Sequence, residues 1–340
     1  MAELPQAVPS ALTQHQSTIE NALRTAIGTD SADLVAAMRY VMGWEDTKGL
    51  PSAATGKRIR PALCLFAAES AGGTVEDALP GAVAVELVHN FSLVHDEIQD
   101  HDAERHHRPT LWARLGEAQS INVGDALYAI AIRALTSAPG PAGRRIAALD
   151  VLTNAVQRMI TGQWHDIQFE SREKVSVDEY LAMSAGKTGA LLGAPLEMGA
   201  LLAGAESEVA CRFGLWGEQI GLAFQAQDDY LGIWGDSGET GKSSTNDIAR
   251  KKKTLPVVFG LLNADHAPTI RRVYALEAPG EDEIREVAHA LTLAGADETC
   301  RAEARRHAHA ADALLDALPV TAEARAAFRS IADYMVDRTF

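Results

Sequence analysis

An all-α fold, a large helical bundle with its ligand site between helices, is what this sequence predicts, on three observations. The 340-residue chain is only 6% aromatic, and its abundant Ala, Leu, Glu and Arg lose little rotamer freedom in a helix. Apolar residues recur at helical spacing along almost the whole chain. No convincing hairpin signature and no low-complexity tract interrupts them. Residues 1 to about 12 are Pro- and Ala-containing with weak periodicity and are expected to be a loose arm. Residues 13–340 are expected to form one helical domain, because large all-helical chains run this long without dividing.

Helices are predicted over 16–28, 31–44, 57–72, 78–104, 117–136, 142–170, 176–203, 206–235, 253–264, 281–293, 298–317 and 321–338. Gly72-Gly73, Pro139-Gly140-Pro141 and Pro279-Gly280 break the pattern between them. The 78–104 segment is apolar through Val83, Val85, Leu87, Val88, Phe91, Leu93 and Val94 before it turns acidic. The 206–235 segment is likewise apolar until an acid pair interrupts it.

The formal net charge is −15, the opposite of what a nucleic-acid binder usually carries, so no nucleic-acid partner is expected. The acid surplus is consistent with solubility and a cytoplasmic location. Cys64, Cys211 and Cys300 are odd in number, far apart and without a CxxC pair, which supports neither disulfides nor a cysteine zinc site. The first thirty residues lack a basic start followed by an apolar run, so no signal peptide is expected. No run of eighteen apolar residues exists, so no membrane span is expected.

Two acid clusters carry the chemistry. The first is His95-Asp96-Glu97-Ile98-Gln99-Asp100-His101-Asp102; Asp96 and Asp100 share a helix face, and His89 lies two turns earlier on that face. The second lies in Phe224-Gln225-Ala226-Gln227-Asp228-Asp229-Tyr230-Leu231-Gly232, where Gln225, Asp228, Asp229 and Gly232 make one stripe. Carboxylates emerging from an apolar helix are costly to bury unless paired or metal-bound. Magnesium commonly takes one or two carboxylates plus phosphate oxygens, so two such helices facing each other can hold ions across one diphosphate. One acid pair alone is as readily a solvated helix face; two clusters, each ending an apolar run, make that much harder to sustain.

Phosphates also need cations. Lys57 and Arg60 sit in Gly56-Lys57-Arg58-Ile59-Arg60-Pro61, which opens a predicted helix where the dipole favours anions. Arg105, His106, His107 and Arg108 follow the first cluster, and Lys242 and Arg250-Lys251-Lys252-Lys253 follow the second. Singly these are surface charges. Lys187, alone in the Ala/Leu/Gly-rich 176–203 helix, is the sharpest candidate, because a lysine there needs something negative to face.

Taken in order, GKRIRP at Gly56–Pro61, ELVHNFSLVHDEIQD at Glu86–Asp100, GQWHD at Gly162–Asp166, GKTG at Gly186–Gly189, FQAQDD at Phe224–Asp229 and KKKTLP at Lys251–Pro256 resemble the trans-prenyltransferases, the (E)-polyprenyl diphosphate synthases. The likeness runs from about Thr55 to the end of the chain. It implies an all-helical homodimer that joins isopentenyl diphosphate to an allylic diphosphate, with about three Mg2+ ions per site when substrate is bound. Position by position, it implies Asp96, Asp100 and Asp228 as metal ligands, with Glu97 and Asp229 supporting. Arg105, Lys187, Thr188, Gln225, Lys242 and Lys252 would hold the allylic diphosphate, and Lys57, Arg60 and His89 the isopentenyl diphosphate. Asp166 would stand behind them as a supporting acid. Phe91 and Ser92, five and four residues before Asp96, would help set product length; the twenty-carbon geranylgeranyl product is expected first and the fifteen-carbon farnesyl product second.

Three positions depart from the family pattern. The first motif reads DExxD, with Glu97 second. The second reads DDxxG, with Gly232 in place of the last aspartate and Asp236 the nearest acid to replace it. His106 stands where the family has a second arginine, leaving Arg108 to reach back. Two other readings stay open: a cyclase-like enzyme that ionises a prenyl diphosphate alone, and a non-catalytic partner subunit of a prenyl synthase.

Overall fold

A computed structural model describes residues 7–30, 32–52, 56–105, 108–235 and 246–336. The described chain is all-α apart from one small hairpin. Helices α1 (Ser10–Thr13), α2 (Gln16–Ile27), α3 (Asp33–Val41), α4 (Ile59–Ser70) and α5 (Val75–Gln99) come first. The two-residue strands β1 (Glu104–Arg105) and β2 (Arg108–Pro109) then pair antiparallel. After them run α6 (Leu111–Leu115), α7 (Glu117–Thr136), α8 (Ala142–Ser171), α9 (Val177–Ser184) and, beyond a π-helical turn over Ala185–Gly189, α10 (Ala190–Ala203). The rest are α11 (Ser207–Trp234), α12 (Asn246–Ala249), α13 (Leu255–Leu262), α14 (Ala267–Tyr274), α15 (Glu281–Leu293), α16 (Ala296–Asp316) and α17 (Ala322–Val336).

Helix α5 is the axis of the bundle. Thr74 and Asp77 close a reciprocal capping box at its start, which satisfies backbone donors that the first turn leaves free. Its Ala- and Val-rich middle is apolar on every side, the mark of a central helix. It packs on α4, α7 and α10. Helix α10, equally apolar, packs in turn on α4, α8 and α11, and α11 lies against α16. The acid clusters thus emerge near the C-terminal ends of two long helices, α5 and α11, with the π turn ahead of α10 between them.

Several boundaries differ from expectation. The arm is docked over its last residues: α1 packs on α4 and buries Leu12 to 1% exposure, because two apolar residues suffice to dock one turn. Helix α5 stops at Gln99, where His101 takes a left-handed conformation (φ 54°). The pairing of β1 with β2 has no signal in the sequence, since two-residue strands show no alternation. Helices α6 and α14 were also missed, being five and eight residues long.

Candidate active site

The site is built around a backbone contact. A Cβ on Gly162 of α8 would lie 2.5 Å from the Lys187 nitrogen, and one on Gly186 would lie 2.7 Å from the Arg158 carbonyl oxygen. Only glycines let the π turn approach α8 this closely, which is why GQWHD and GKTG carry them. The approach sets the Lys187 ammonium 2.5 Å from Asp166 Oδ2 and 3.5 Å from Asp96 Oδ1. Burial works against that ammonium, but the carboxylates of Asp166 and Asp96 outweigh it and raise its pKa.

Around Lys187 opens a cavity of about 770 Å3. Asp96, Asp100 and Asp102 line one wall and Asp228, Asp229 and Asp247 another, with Arg105, Arg250 and Lys252 between. Lys252 donates to Asp100 Oδ2 at 2.9 Å. Arg250 stands 2.5 Å from Asp102 and 3.6 Å from Asp100. Thr188 donates to Gln225 Oε1 at 2.8 Å, and Gln225 donates to Asp229 Oδ1 at 2.9 Å. Asp228 is exposed to the cavity, whereas Asp229 is buried. Asp229 accepts from the Tyr180 hydroxyl and from the Leu255 N–H. Burial nevertheless pushes its pKa up to about 7.

Beside this cavity Arg60 Nη1 stands 3.3 Å from His89 Nε2. The buried Arg60 Nε has no hydrogen-bond partner among the described residues, so it is a donor available to an anion. Burial, then the charges of Arg60, Arg105 and Arg58, holds His89 well below its ordinary pKa. Lys57 donates to the Tyr334 hydroxyl at 3.0 Å. Phe91 is buried against His95 and Tyr128, with ring centroids 4.8 and 5.3 Å apart. Ser92 donates to the His89 carbonyl at 2.7 Å.

Some sequence expectations change. Glu97 is buried away from the cavity and lies 3.9 Å from Arg105; burial, partly offset by that arginine, pushes its pKa up to about 7. Arg108 does not reach back: its guanidinium stacks on Tyr40 and donates to the carbonyls of Tyr40 and Glu45. Asp229 serves the scaffold through Tyr180, Gln225 and Leu255. Lys242, His106 and Asp236 lie outside the described residues. Asp102 and Arg250, which belong to the first acid cluster and to the basic run but carried no assigned role, join the site, as does Asp247, four residues before KKKTLP, which no motif marks. Arg58, inside GKRIRP, is structural: it pairs with Glu20 at 2.6 Å and Glu86 at 2.8 Å and donates to the Met42 carbonyl.

A chain with helices arranged in this way and two acid walls facing across cations has close relatives. Residues 51–291 match the polyprenyl synthetase family model. The (2E,6E)-farnesyl diphosphate synthase of Mycobacterium tuberculosis is 42% identical over 305 residues, 88% of this chain and 84% of that one. The geranylgeranyl diphosphate synthase of the same organism is 42% identical over 248 residues, 73% of this chain and 71% of that one. The structure is similar to the polyprenyl synthetase from Streptomyces coelicolor A3(2), with a TM-score of 0.90 and 39% identity over 97% of this chain and 100% of that one. The chain belongs to the polyprenyl synthetase family and is a prenyltransferase. No described helix is long and apolar enough to cross a membrane.

Proposed function

We propose that the protein condenses isopentenyl diphosphate with an allylic diphosphate to give a short-chain (E)-prenyl diphosphate, geranylgeranyl diphosphate first and farnesyl diphosphate second. The observation that carries this reading is Lys187, held by the π turn between Asp166 and Asp96 at the meeting of the two acid walls. Relatives of equal identity are named for each of the two products.

The donor set fits magnesium: Asp96, Asp100 and Asp228 are hard oxygen donors. Among the described residues no three His, Cys, Asp or Glu side chains close on one point, so an ion here would draw its other ligands from phosphate and water, as magnesium commonly does. Bound Mg2+ supplies Lewis-acid stabilisation of charge gathering on the departing diphosphate. Lys187, Arg105 and Lys252 hold the allylic diphosphate by its oxygens, with Thr188 and Gln225 beside them. A unit-charge contact at 4 Å is worth about 4 kcal/mol at an effective dielectric of 20, so several aimed cations are needed, because the allylic cation left behind is costly to form. Lys57, Arg60 and His89 grip the second diphosphate near Arg105; its double bond attacks the allylic carbon as the first diphosphate leaves, and a proton is then lost. Asp166 orients Lys187.

An exposed stripe on α8, with Ile160 52%, Trp164 69% and Ile167 42% accessible, supports a homodimer. Its spacing puts the three residues on one face.

The test is incubation with Mg2+ and dimethylallyl, geranyl or farnesyl diphosphate, each with and without isopentenyl diphosphate, followed by mass analysis. Linear products that need isopentenyl diphosphate support the synthase and read its chain length. Product from the prenyl diphosphate alone, or no turnover, would replace this reading with the cyclase or the partner subunit.

A further inference from the structure

The second acid motif ends on Gly232, four residues after Asp228 and so on the same helix face. A Cβ built on Gly232 would lie 2.3 Å from Asp247 Oδ2 and 3.3 Å from Asp247 Cγ. Among the described residues, no other atom beyond its own stretch of helix comes within 4 Å of that point. In an aspartate, each carboxylate oxygen stands about 2.4 Å from its own Cβ by standard bond lengths. The Asp247 oxygen therefore sits at the distance from position 232 that an aspartate's own oxygen would have there. Glycine and carboxylate are coupled, because any side chain at 232 would collide with Asp247.

The backbone explains how Asp247 gets there. Helix α12 closes with the Lys252 N–H on the Asp247 carbonyl at 3.0 Å and the Lys251 N–H on the Ile248 carbonyl at 2.9 Å, while Lys251 is left-handed at φ 56°. This tight turn sends its two ends into one cavity: Lys252 to Asp100 on the first wall and Asp247 to Gly232 on the second.

We propose that Asp247 supplies the carboxylate that the second motif lacks at Gly232, so that Asp228 from α11 and Asp247 from α12 together make the second cation-holding wall. The pair reproduces, from two elements, the one-turn spacing that Asp96 and Asp100 achieve within α5. The inference rests on reading the cavity as a magnesium–diphosphate site. It assigns the replacement to Asp247 in place of the Asp236 expected from sequence.

The experiment is Mn2+ retained by the protein at equilibrium dialysis, with the same Mn2+ and inorganic diphosphate on both sides of the membrane, alongside thermal unfolding of every variant. Wild type is expected to bind Mn2+. Asp247→Ala and the isosteric Asp247→Asn are expected to bind at least tenfold more weakly with little change in unfolding temperature. Gly232→Asp combined with Asp247→Ala is expected to recover most of the loss, since the carboxylate then comes from α11 itself. A role for Asp247 confined to shaping α12 would not be rescued from position 232. Unchanged binding in both single variants, or a folded double variant that stays weak, overturns the assignment. If wild type itself retains no Mn2+ with diphosphate, the underlying site reading fails with it, which is a distinct result.

Discussion

Lys187 donates its ammonium to Asp166 across 2.5 Å, from a π turn to the C-terminal part of a thirty-residue helix. The contact aims a cation that also reaches Asp96. Lys187→Met is expected to lower kcat/KM at least a hundredfold, since it removes a charge whose stabilisation grows as the diphosphate leaves. Asp166→Asn is expected to cost less, about tenfold, because the ammonium remains but loses its orientation. Steady-state kinetics of both variants checks the order; equal losses would place Asp166 at the substrate itself.

Arg58 sits in the left-handed region (φ 50°) with its guanidinium buried between Glu20 and Glu86. Arg58→Met takes the paired cation from the buried Glu86, and among the described residues Asn90 still donates to its carboxylate. Stranding one partner of a buried pair costs about 3–5 kcal/mol. Urea unfolding should show that loss, and a change under 1 kcal/mol would show that the network is dispensable.

His89 should make stability depend on pH. Its folded pKa lies well below 6.5, so the fold keeps the ring neutral while the unfolded chain takes up a proton. Its contribution is complete above about pH 6.5 and drains away as pH falls toward the folded pKa. The slope is at most about 1.4 kcal/mol per pH unit. His89→Gln should unfold with a flatter profile between pH 7 and 5, and parallel profiles would remove His89 as the cause.

Phe91→Ala opens space between α5 and Tyr128. Product analysis should then show longer prenyl chains. An unchanged distribution would take Phe91 out of the length-setting role and leave it a core residue.

Trp164→Glu places a charge in the exposed apolar stripe of α8. Sedimentation should show a dimer for the wild type and a monomer for the variant. A monomeric wild type would leave the stripe without that role.

Much of this was legible from the residues. Asp96, Asp100, Asp228, Lys187, Thr188, Gln225, Arg105 and Lys252 do line one cavity, because polar groups emerging from apolar helices have few other places to go. What sequence could not supply was the destination of side chains whose partners are remote. Arg58 and Arg60 look alike in GKRIRP, yet one closes on Glu20 and Glu86 and the other on His89. Asp247 was invisible because its relation to Gly232 crosses two elements joined by a turn. The β1–β2 pair, α6 and α14 escape the sequence for a simpler reason: segments that short hold too few residues for periodicity to be read.

The π turn at Ala185–Gly189 bears on how such a chain can change over generations. A π turn is an α-helix carrying one surplus residue. Losing one residue from within Ala185–Gly189 would return the stretch to α-helical turns and leave the segments on either side facing much as they do now, whereas a gain or loss elsewhere in the helix would turn everything beyond it by about 100°. Tyr180 and its hold on Asp229 lie before the turn, and Gly193, whose Cβ would fall 2.6 Å from the Gly214 carbonyl oxygen, lies after it. Both keep their partners only if a change of length falls inside the turn. The one place where this helix can shed a residue is therefore the turn that carries Lys187, where the site can least spare one.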